Sequence, residues 1–330
     1  MLTWKTWEGT GKEWDDCLLQ FPDFTVYQSF SWGEHREAFG WHPLRIVGES
    51  DGRVVSAAQV LVRRLPLGIG FVWIPGGPVG DPKIWTPSFP AGLKKALGSR
   101  FLYCRMSNMR PHDAAESGHL TRHGWHTPGF RLQSGQSMFY LLGGQQSARQ
   151  DRMSKNWSRN FRRSQKYGNV VRVWDSPDTG EMHAVYREMQ DFKSLDEQFT
   201  QAALTSILSR FEGRCVVVRC DDSEGRMLSF RGALLFGKRG WDIFAATTIA
   251  GRKVYASHAT FWELMKQCEE RGVTWYDMSG VDPDKNKGGY DFKKGTGSED
   301  LKYLGEWDTA SFPLLRPLAN LLVKWRMRSA

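Results

Sequence analysis

Apolar and polar positions along the chain alternate between the period of amphipathic helices and the period of half-buried strands. The first half predicts, in order, helix 31–38, strands 44–47, 54–62 and 71–74, helix 90–98, strand 100–105, a helix ending at Gly124, and strand 136–142. From about residue 148 the order repeats as a long helix to Tyr167, strand 170–174, helices 180–189 and 200–210, strands 214–220, 227–236 and 240–247, helix 255–271, and strand 273–278. Because both halves show helices, an antiparallel run, a helix and a further strand, the pattern predicts α+β architecture used twice.

The length and composition agree with two domains that each bury a core. The chain has 330 residues, of which 40% are hydrophobic and 25% charged. No apolar run approaches the ~18 residues that a membrane-spanning helix requires. The N-terminal residues lack the apolar core of a signal peptide, and five cysteines at irregular spacing do not form a disulfide framework. We therefore expect a cytoplasmic protein with reduced thiols.

The net charge of +9 favours a polyanionic partner, such as nucleic acid, phosphate or anionic lipid, without choosing among them. A basic but unspecific surface explains the charge alone equally well. Fifteen Trp and nineteen Phe residues are numerous for this length. Most should lie in the core, and any that are exposed can stack on bases.

The most distinctive local pattern is a basic helix predicted over 151–167. Its cations recur at steps of three and four residues and share one helix face: Arg152, Lys155, Arg159, Arg162, Arg163 and Lys166. Met153, Trp157 and Phe161 recur at steps of four and form the predicted buried stripe. Such a face binds phosphate or an RNA backbone, or it is a solvated surface whose neighbours supply acidic residues.

A second pattern lies near the end of the second half. The strand ending in Tyr276-Asp277 leads into small residues and a polar loop over 281–290, after which paired lysines, Lys293 and Lys294, stand beside glycines. A lysine in this position can hold a phosphate or stabilise a developing oxyanion. A lysine-rich surface loop is the simpler interpretation of the same residues.

Other patterns carry less chemistry. Glu116, His119 and His123 share a predicted helix face, but their spacing is not that of a His-Glu-x-x-His zinc site. The sequence contains no nucleophile elbow, P-loop or dinucleotide-binding fingerprint. We therefore expect neither a metal nor a cofactor.

Several segments, in order along nearly the whole chain, resemble the FemABX peptidyltransferases, particularly the compact FemX type. The matching segments are 28–32 with Arg36 and Gly40-Trp41, 57–61, 74–78, Gly124-Trp125, 136–142, the basic helix from Trp157 to Lys166, Tyr276-Asp277, Phe292-Lys293, and 305–308. The resemblance implies two GNAT-like domains of similar topology. It places domain 1 at 1–145, with 305–330 returning to it, and domain 2 at 146–304. The stretch 184–211 leaves no room for the long coiled-coil arm of some relatives.

The resemblance also implies a reaction. An aminoacyl group on a charged tRNA would pass to the amine of a peptidoglycan-type precursor, a muropeptide linked to a diphosphate. Lys293 would stabilise the oxyanion and Phe292 would shape the pocket, since they match the family's Phe-Lys pair. The basic helix would bind the tRNA. A lipid-linked acceptor also admits peripheral contact with a membrane, whereas DNA is not an expected partner.

Acceptor contacts are implied for Arg36, Lys193, Arg252 and Tyr255. Relatives commonly carry lysine at the position of Arg36, and arginine binds phosphate with different geometry. Relatives also often have an acidic residue near 103–108, and this chain has none there. The resemblance therefore leaves a carboxylate general base without a candidate.

Three alternatives remain open at this point. The first is a GNAT-like acyl-CoA-dependent N-acyltransferase, although the segment 250–256 lacks the second glycine of the pyrophosphate-binding loop. The second is the same tRNA-dependent chemistry on a natural-product or polysaccharide acceptor. The third is a non-catalytic protein that binds RNA or phosphate.

Overall fold

A computed structural model describes residues 2–144, 146–193, 199–284 and 286–328 of the chain. The chain divides into two compact units. Unit 1 comprises residues 1–136 and 302–330, and unit 2 comprises residues 137–301.

Unit 1 begins with a run of strands and helices. The strand at 3–6, the helix at 11–18 and the short elements between 79 and 85 were not predicted, and the others follow the predicted order. The elements are β1 Thr3–Thr6, α1 Gly11–Leu18, α2 Phe30–Glu37, β2 His42–Ser50, β3 Arg53–Leu65, β4 Ile69–Pro75, β5 Val79–Gly80, α3 Pro82–Trp85, α4 Phe89–Leu97, β6 Phe101–Pro111 and α5 Ala114–Arg122.

Unit 2 and the return to unit 1 supply the remaining elements. They are β7 Gln136–Leu141, α6 Gln146–Arg152, α7 Lys155–Ser164, β8 Val170–Val173, α8 Thr179–Lys193, α9 Gln201–Arg210, β9 Cys215–Asp221, β10 Met227–Phe236, β11 Arg239–Thr247, α10 Ile249–Lys253, α11 Ala256–Glu270, β12 Trp275–Asp277, α12 Lys287–Gly295, β13 Glu299–Ala310 and α13 Leu315–Arg328.

The two units share one sheet pattern. In unit 1, β1 to β4 pair antiparallel in sequence order, β4 pairs parallel with β6, and β6 pairs antiparallel with β13. In unit 2, β8 to β11 pair antiparallel in sequence order, β11 pairs parallel with β12, and β12 pairs antiparallel with β7. Each parallel pair requires a crossover, which helices provide in both units. The fold is mixed α/β and GNAT-like.

Each unit has its own apolar core. In unit 1, Trp85, Phe89 and Trp125 pack on the sheet and are fully buried. In unit 2, Trp157 and Phe161 of α7 pack with Phe261 of α11. The pattern of apolar positions predicted the part of the unit 2 core that Met153, Trp157 and Phe161 form, because buried side chains recur once per helical turn.

The structure corrects three expectations. The strand β7, expected in the first domain, pairs with β12 of unit 2. The single helix predicted over 151–167 is two helices, α6 and α7, because Ser154 caps α7 by accepting a hydrogen bond from the Trp157 amide at 3.2 Å. The helix α7 also ends at Ser164, three residues before the predicted end at Tyr167.

The third correction concerns Lys293 and Lys294, which lie in the last turn of helix α12 and not on a loop. Asn286 caps this helix through a 3.1 Å bond from the Gly289 amide. The glycines 288 and 289, interpreted as loop residues, therefore form its first turn.

The elements between β8 and β9 are the helices α8 and α9, of 15 and 10 residues. Within the described residues of this stretch no coiled-coil arm projects from unit 2. Among the described helices of the whole chain, none combines the length and the apolarity needed to cross a bilayer.

Candidate active site

The candidate site lies where two parallel strands of unit 2 stop pairing. The strands β11 and β12 pair from Arg239↔Trp275 to Trp241↔Asp277. Beyond that point β11 continues to Thr247, while β12 ends and the chain turns at Ser279. Ser279 has φ 60°, a backbone conformation that residues with a side chain seldom adopt. Its strain marks this strand end as a functional candidate.

A buried group of charged and polar side chains lies beside this strand end. Arg231 of β10 donates two hydrogen bonds to the Asp242 carboxylate, from Nε at 2.9 Å and Nη2 at 2.5 Å. The Tyr276 hydroxyl donates to the same carboxylate at 2.9 Å. Ser279 donates its hydroxyl to the Asp242 carbonyl and its amide, at 2.7 Å, to the Asp277 carboxylate. Since these charges are buried, their pairing is required for stability.

Lys293 reaches this group from α12. Its Nζ donates to the carbonyl oxygen of Ser279 at 3.2 Å and to that of Gly280 at 3.0 Å. An ammonium has three donors, and within the described residues no other acceptor takes the third. Burial lowers the pKa of Lys293 to about 8, Asp242 opposes this, and Arg231 adds to it. Lys294 lies elsewhere, with its ammonium 2.5 Å from Asp300.

Phe292 joins Lys293 to an aromatic cluster on the core side. Its ring centroid lies 5.9 Å from that of Trp157, 5.1 Å from that of His258 and 6.0 Å from that of Phe261. The guanidinium of Arg231 lies 5.5 Å from the Phe292 ring. Burial lowers the pKa of His258 to about 4, so this imidazole is neutral at pH 7. Phe292 thus forms part of the wall behind Lys293.

The helix α7 separates apolar from basic side chains as predicted. Trp157 and Phe161 are buried, and five of the six predicted cations are exposed on the opposite side of the helix or just beyond it: Lys155, Arg159, Arg162, Arg163 and Lys166. We call these five residues the basic face. Among the residues that the structure describes, no carboxylate forms an ion pair with any of them. The solvated alternative required such acidic neighbours.

Arg152 does not belong to this face, which corrects its place in the predicted stripe. It ends the preceding helix, α6, and its Nη2 donates to the Leu141 carbonyl at 2.9 Å. Its guanidinium lies 5.3 Å from the ring of Tyr140. The break at Ser154 therefore removes Arg152 from the helix that carries the other five cations.

Three of the four predicted acceptor residues lie in unit 2. Arg252 stacks on Phe192, with 4.6 Å between its guanidinium carbon and the ring, and burial together with Arg252 lowers the pKa of Lys193. Tyr255 accepts a hydrogen bond from Arg163 of the basic face at 3.1 Å. Its ring also lies 5.8 Å from that of His258, which in turn contacts Phe292. Contacts through Tyr255 and His258 therefore connect Arg163 of the basic face to Phe292, the residue before Lys293.

In an acyl-CoA enzyme, backbone amides of the segment before α11 would bind the coenzyme A pyrophosphate. In this protein, two amides of that segment already donate hydrogen bonds to protein side chains. The Ile249 amide donates to a carboxylate oxygen of Glu188 at 2.7 Å, and the Gly251 amide donates to the Thr248 hydroxyl at 2.9 Å. A Cβ at Gly251 would lie 2.3 Å from the Leu228 carbonyl oxygen. A carboxylate therefore lies where an acyl-CoA enzyme would offer amides to phosphate, which disfavours this alternative.

Arg36 lies on α2 of unit 1. Burial and the neighbouring cation Arg63 lower its pKa. Among the described residues no carboxylate forms an ion pair with it. A half-buried cation next to a second cation is a suitable ligand for an anion.

The acidic residue that the sequence lacks near 103–108 is supplied in unit 1 by the neighbouring strand. Glu306 of β13 accepts a hydrogen bond from Arg105 Nε at 2.8 Å, and Asp308 accepts one from the Tyr103 hydroxyl at 3.2 Å. Glu306 also accepts hydrogen bonds from the amides of Leu132 and Gln133. Because its charge is compensated, this carboxylate does not serve as a free base.

Sequence reasoning missed Arg231, Asp242, Ser279 and His258. A signal was available for Asp242, which is a charged residue at the centre of an apolar strand. None was available for Ser279 and His258, because their roles depend on contacts between distant segments.

Comparisons with known proteins show to which families and folds the chain is similar. A sequence profile described as an acetyltransferase (GNAT) domain matches residues 151–294, which include the basic face and Lys293. A lipid II:glycine glycyltransferase of Staphylococcus epidermidis strain ATCC 35984 is 30% identical over 115 residues, and the match covers 33% of this chain. The same enzyme from strain ATCC 12228 matches equally. The match spans only 27% of the length of these curated relatives.

Solved structures extend the similarity to the whole fold. The crystal structure of FemX aligns with a TM-score of 0.77 at 18% identity, covering 92% of this chain and 96% of that one. The structure of L-PGS from Bacillus licheniformis aligns with a TM-score of 0.56 at 13% identity, covering 95% and 96%. The resemblance noted in the sequence is supported by these comparisons: over part of its length the chain is similar in sequence to a lipid II:glycine glycyltransferase, and it has the GNAT-like fold of FemX.

Proposed function

We propose that the protein transfers an aminoacyl group from a charged tRNA to the amine of a peptidoglycan-type precursor. The observation that carries the proposal is the basic face of α7, which no described carboxylate neutralises. The buried side of the same helix contacts Phe292, the neighbour of Lys293. The helix that carries the basic face, α7, therefore packs directly against α12, the helix that carries a cation suited to an oxyanion.

The chemistry is aminolysis of an ester. The acceptor amine attacks the carbonyl carbon of the aminoacyl ester, and negative charge develops on the carbonyl oxygen. The third N–H of Lys293 is available for that oxygen, which lowers the barrier because the interaction strengthens as charge forms. The carbon–oxygen bond to the ribose then breaks, and the proton lost by the amine passes to the departing ribose oxygen. An ester is already activated, so no protein nucleophile is needed.

The acceptor is the less constrained partner. Lys193 and Arg252 provide two neighbouring cations in unit 2, and Arg36 provides one in unit 1; each is suited to contact a phosphate. The curated relatives are lipid II:glycine glycyltransferases, which supports a muropeptide acceptor. An amine-bearing polysaccharide or natural product offers the same nucleophile and remains the alternative acceptor.

The test is incubation with total tRNA charged with labelled amino acids and a panel of amine acceptors. The panel contains a nucleotide-linked muropeptide, a lipid-linked muropeptide, an amine-bearing polysaccharide and a free peptide. We expect label in a muropeptide, and ribonuclease treatment of the donor abolishes the transfer. Acylation that proceeds with acetyl-CoA and without tRNA contradicts the proposed donor.

A further inference from the structure

The helix α13 of unit 1 presents an apolar stripe to solvent. Leu318, Leu321 and Trp325 of the helix, and Leu314 directly before it, recur at steps of four, three and four residues, so they line one side of this segment. Their exposed fractions are 71%, 62%, 65% and 62%. We call these four residues the outer stripe. Single exposed leucines need no explanation, but four in line along one helix indicate a surface that meets an apolar environment.

The other side of α13 fixes the direction of the stripe. Leu315 and Ala319 are buried in a cluster with Tyr103, against which Phe312 also packs. Arg316 Nε lies 2.5 Å from the Asp308 carboxylate. These contacts hold the helix on unit 1, so the outer stripe cannot turn inward.

The positive charge of the same segment indicates which kind of partner the outer stripe binds. Residues 309–330 contain Arg316, Lys324, Arg326 and Arg328 and no aspartate or glutamate. Lys324 is exposed and adjoins Trp325 in the sequence. Leucines and a tryptophan beside lysine and arginine are the composition of helices that lie in the interface of an anionic membrane. Tryptophan prefers the headgroup level, where its ring is apolar and its N–H remains hydrated.

We propose that α13 docks the protein on the surface of a membrane that contains anionic lipid, with the outer stripe entering the acyl boundary and Lys324 contacting headgroups. A helix of 14 residues is ~21 Å long and cannot cross a hydrocarbon core of ~30 Å, so it lies in the plane of the interface. A second copy of the chain is less suited than a membrane to cover the outer stripe. Two helices of this composition repel each other, and four side chains fall short of the ~800 Å² per partner that stable dimers bury.

The surface goes beyond the proposed transfer and does not depend on it, because vesicle binding requires neither tRNA nor acceptor. If the protein both transfers the aminoacyl group and docks on the membrane, docking would bring it to the surface that contains a lipid-linked acceptor. The search for that acceptor would then be confined to the membrane surface rather than to the whole solution.

The experiment is co-sedimentation of the full chain with vesicles of phosphatidylglycerol and phosphatidylcholine in equal parts, and with vesicles of phosphatidylcholine alone. We expect binding to the anionic vesicles that weakens as salt rises. The variant Leu318→Gln/Leu321→Gln/Trp325→Gln should weaken it by about tenfold or more, since each change removes apolar surface from the acyl boundary. Glutamine keeps good helix propensity, and unchanged thermal unfolding checks the fold.

The matched control is Leu19→Gln/Ile84→Gln, which changes exposed apolar residues of unit 1 outside α13 and should leave vesicle binding unchanged. Three outcomes overturn the proposal. The wild-type chain fails to bind the anionic vesicles. The triple variant binds them as well as the wild type does, which would assign the binding to other cations such as the basic face. The outer stripe proves to hold two copies together, with a concentration-dependent mass that the triple variant loses and no binding to vesicles.

Discussion

The ammonium of Lys293 donates a hydrogen bond to the carbonyl of Ser279, 3.2 Å away, and Ser279 holds a positive φ of 60°. The turn that this strained serine makes exposes two successive carbonyls to one lysine. Those carbonyls fix the position of Nζ while leaving the amine one donor for a ligand. The geometry therefore preorganises a cation, which is the property that oxyanion stabilisation requires.

Replacing Lys293 with Met tests this role most directly. We expect turnover to fall by about 10²-fold or more, the scale for loss of one oxyanion-stabilising group. Acceptor affinity should change little, because the charge is used in the transition state. Single-turnover kinetics separate the two quantities. Lys294→Met is the control, since that ammonium pairs with Asp300, and it should cost little. Equal loss in both variants would point to a general effect of charge on α12.

The pH dependence of turnover follows from the pKa of Lys293, which burial lowers to about 8. The lysine acts as a cation, so the rate should fall as the pH rises through about 8 and Lys293 loses its proton. Lys293→Arg keeps the positive charge to higher pH. Whatever its maximal rate, its pH–rate profile should lack this fall. An alkaline fall that persists at the same pH in the arginine variant assigns the titration to another group.

The basic face should bind the tRNA donor. Changing Arg159, Arg162 and Arg163 to Ala should weaken the affinity for tRNA and flatten its dependence on salt, because fewer counterions are released on binding. Filter binding at several salt concentrations measures both effects. The matched control changes Arg226, Lys266 and Lys287 to Ala. It removes the same number of charges, but each of these cations pairs with an acidic residue four positions away. Equal losses in the two variants would mean that only net charge matters.

Two glycines of unit 2 should respond oppositely to a methyl group. A Cβ at Gly251 would lie 2.3 Å from a backbone oxygen, so Gly251→Ala should lower the free energy of unfolding by about 1–3 kcal/mol. A Cβ at Gly288 meets nothing within 4 Å. Gly288 lies in the first turn of α12, so Gly288→Ala should be neutral or stabilise by up to ~1 kcal/mol. Urea unfolding at one pH measures both. A stable Gly251→Ala would show that the turn before α11 can move.

The sequence predicted most of the element order between α2 and β12, because burial repeats with the period of each element. The prediction from the sequence failed where contacts between distant segments determine where an element begins or ends. The helix predicted over 151–167 breaks at Ser154, whose amide donates to the Gly295 carbonyl 141 positions further along the chain. Local propensity contains no information about such a contact.

The Arg231–Asp242 pair was missed for a related reason. The register of β10 and β11 shifts between Gly232 and Ala233, which sets Ala233 opposite Asp242. A bulge of this kind decides which side chains meet, and it is not visible in a single sequence. The resemblance to a family suggested Lys293 and Phe292 as site residues, and the structure shows the two carbonyl groups to which Lys293 donates hydrogen bonds.

The 2.9 Å bond from the Ser154 amide to the Gly295 carbonyl joins the first residue before α7 to the last residue of α12. The join is tight, because a Cβ at Gly295 would lie 2.9 Å from the Trp157 ring and one at Gly297 would lie 2.6 Å from the Arg152 carbonyl oxygen. The start of the helix that carries the basic face and the end of the helix that carries Lys293 are therefore held together with no space for a methyl group between them. A substitution that displaces the start of α7 should consequently displace the last turn of α12 as well.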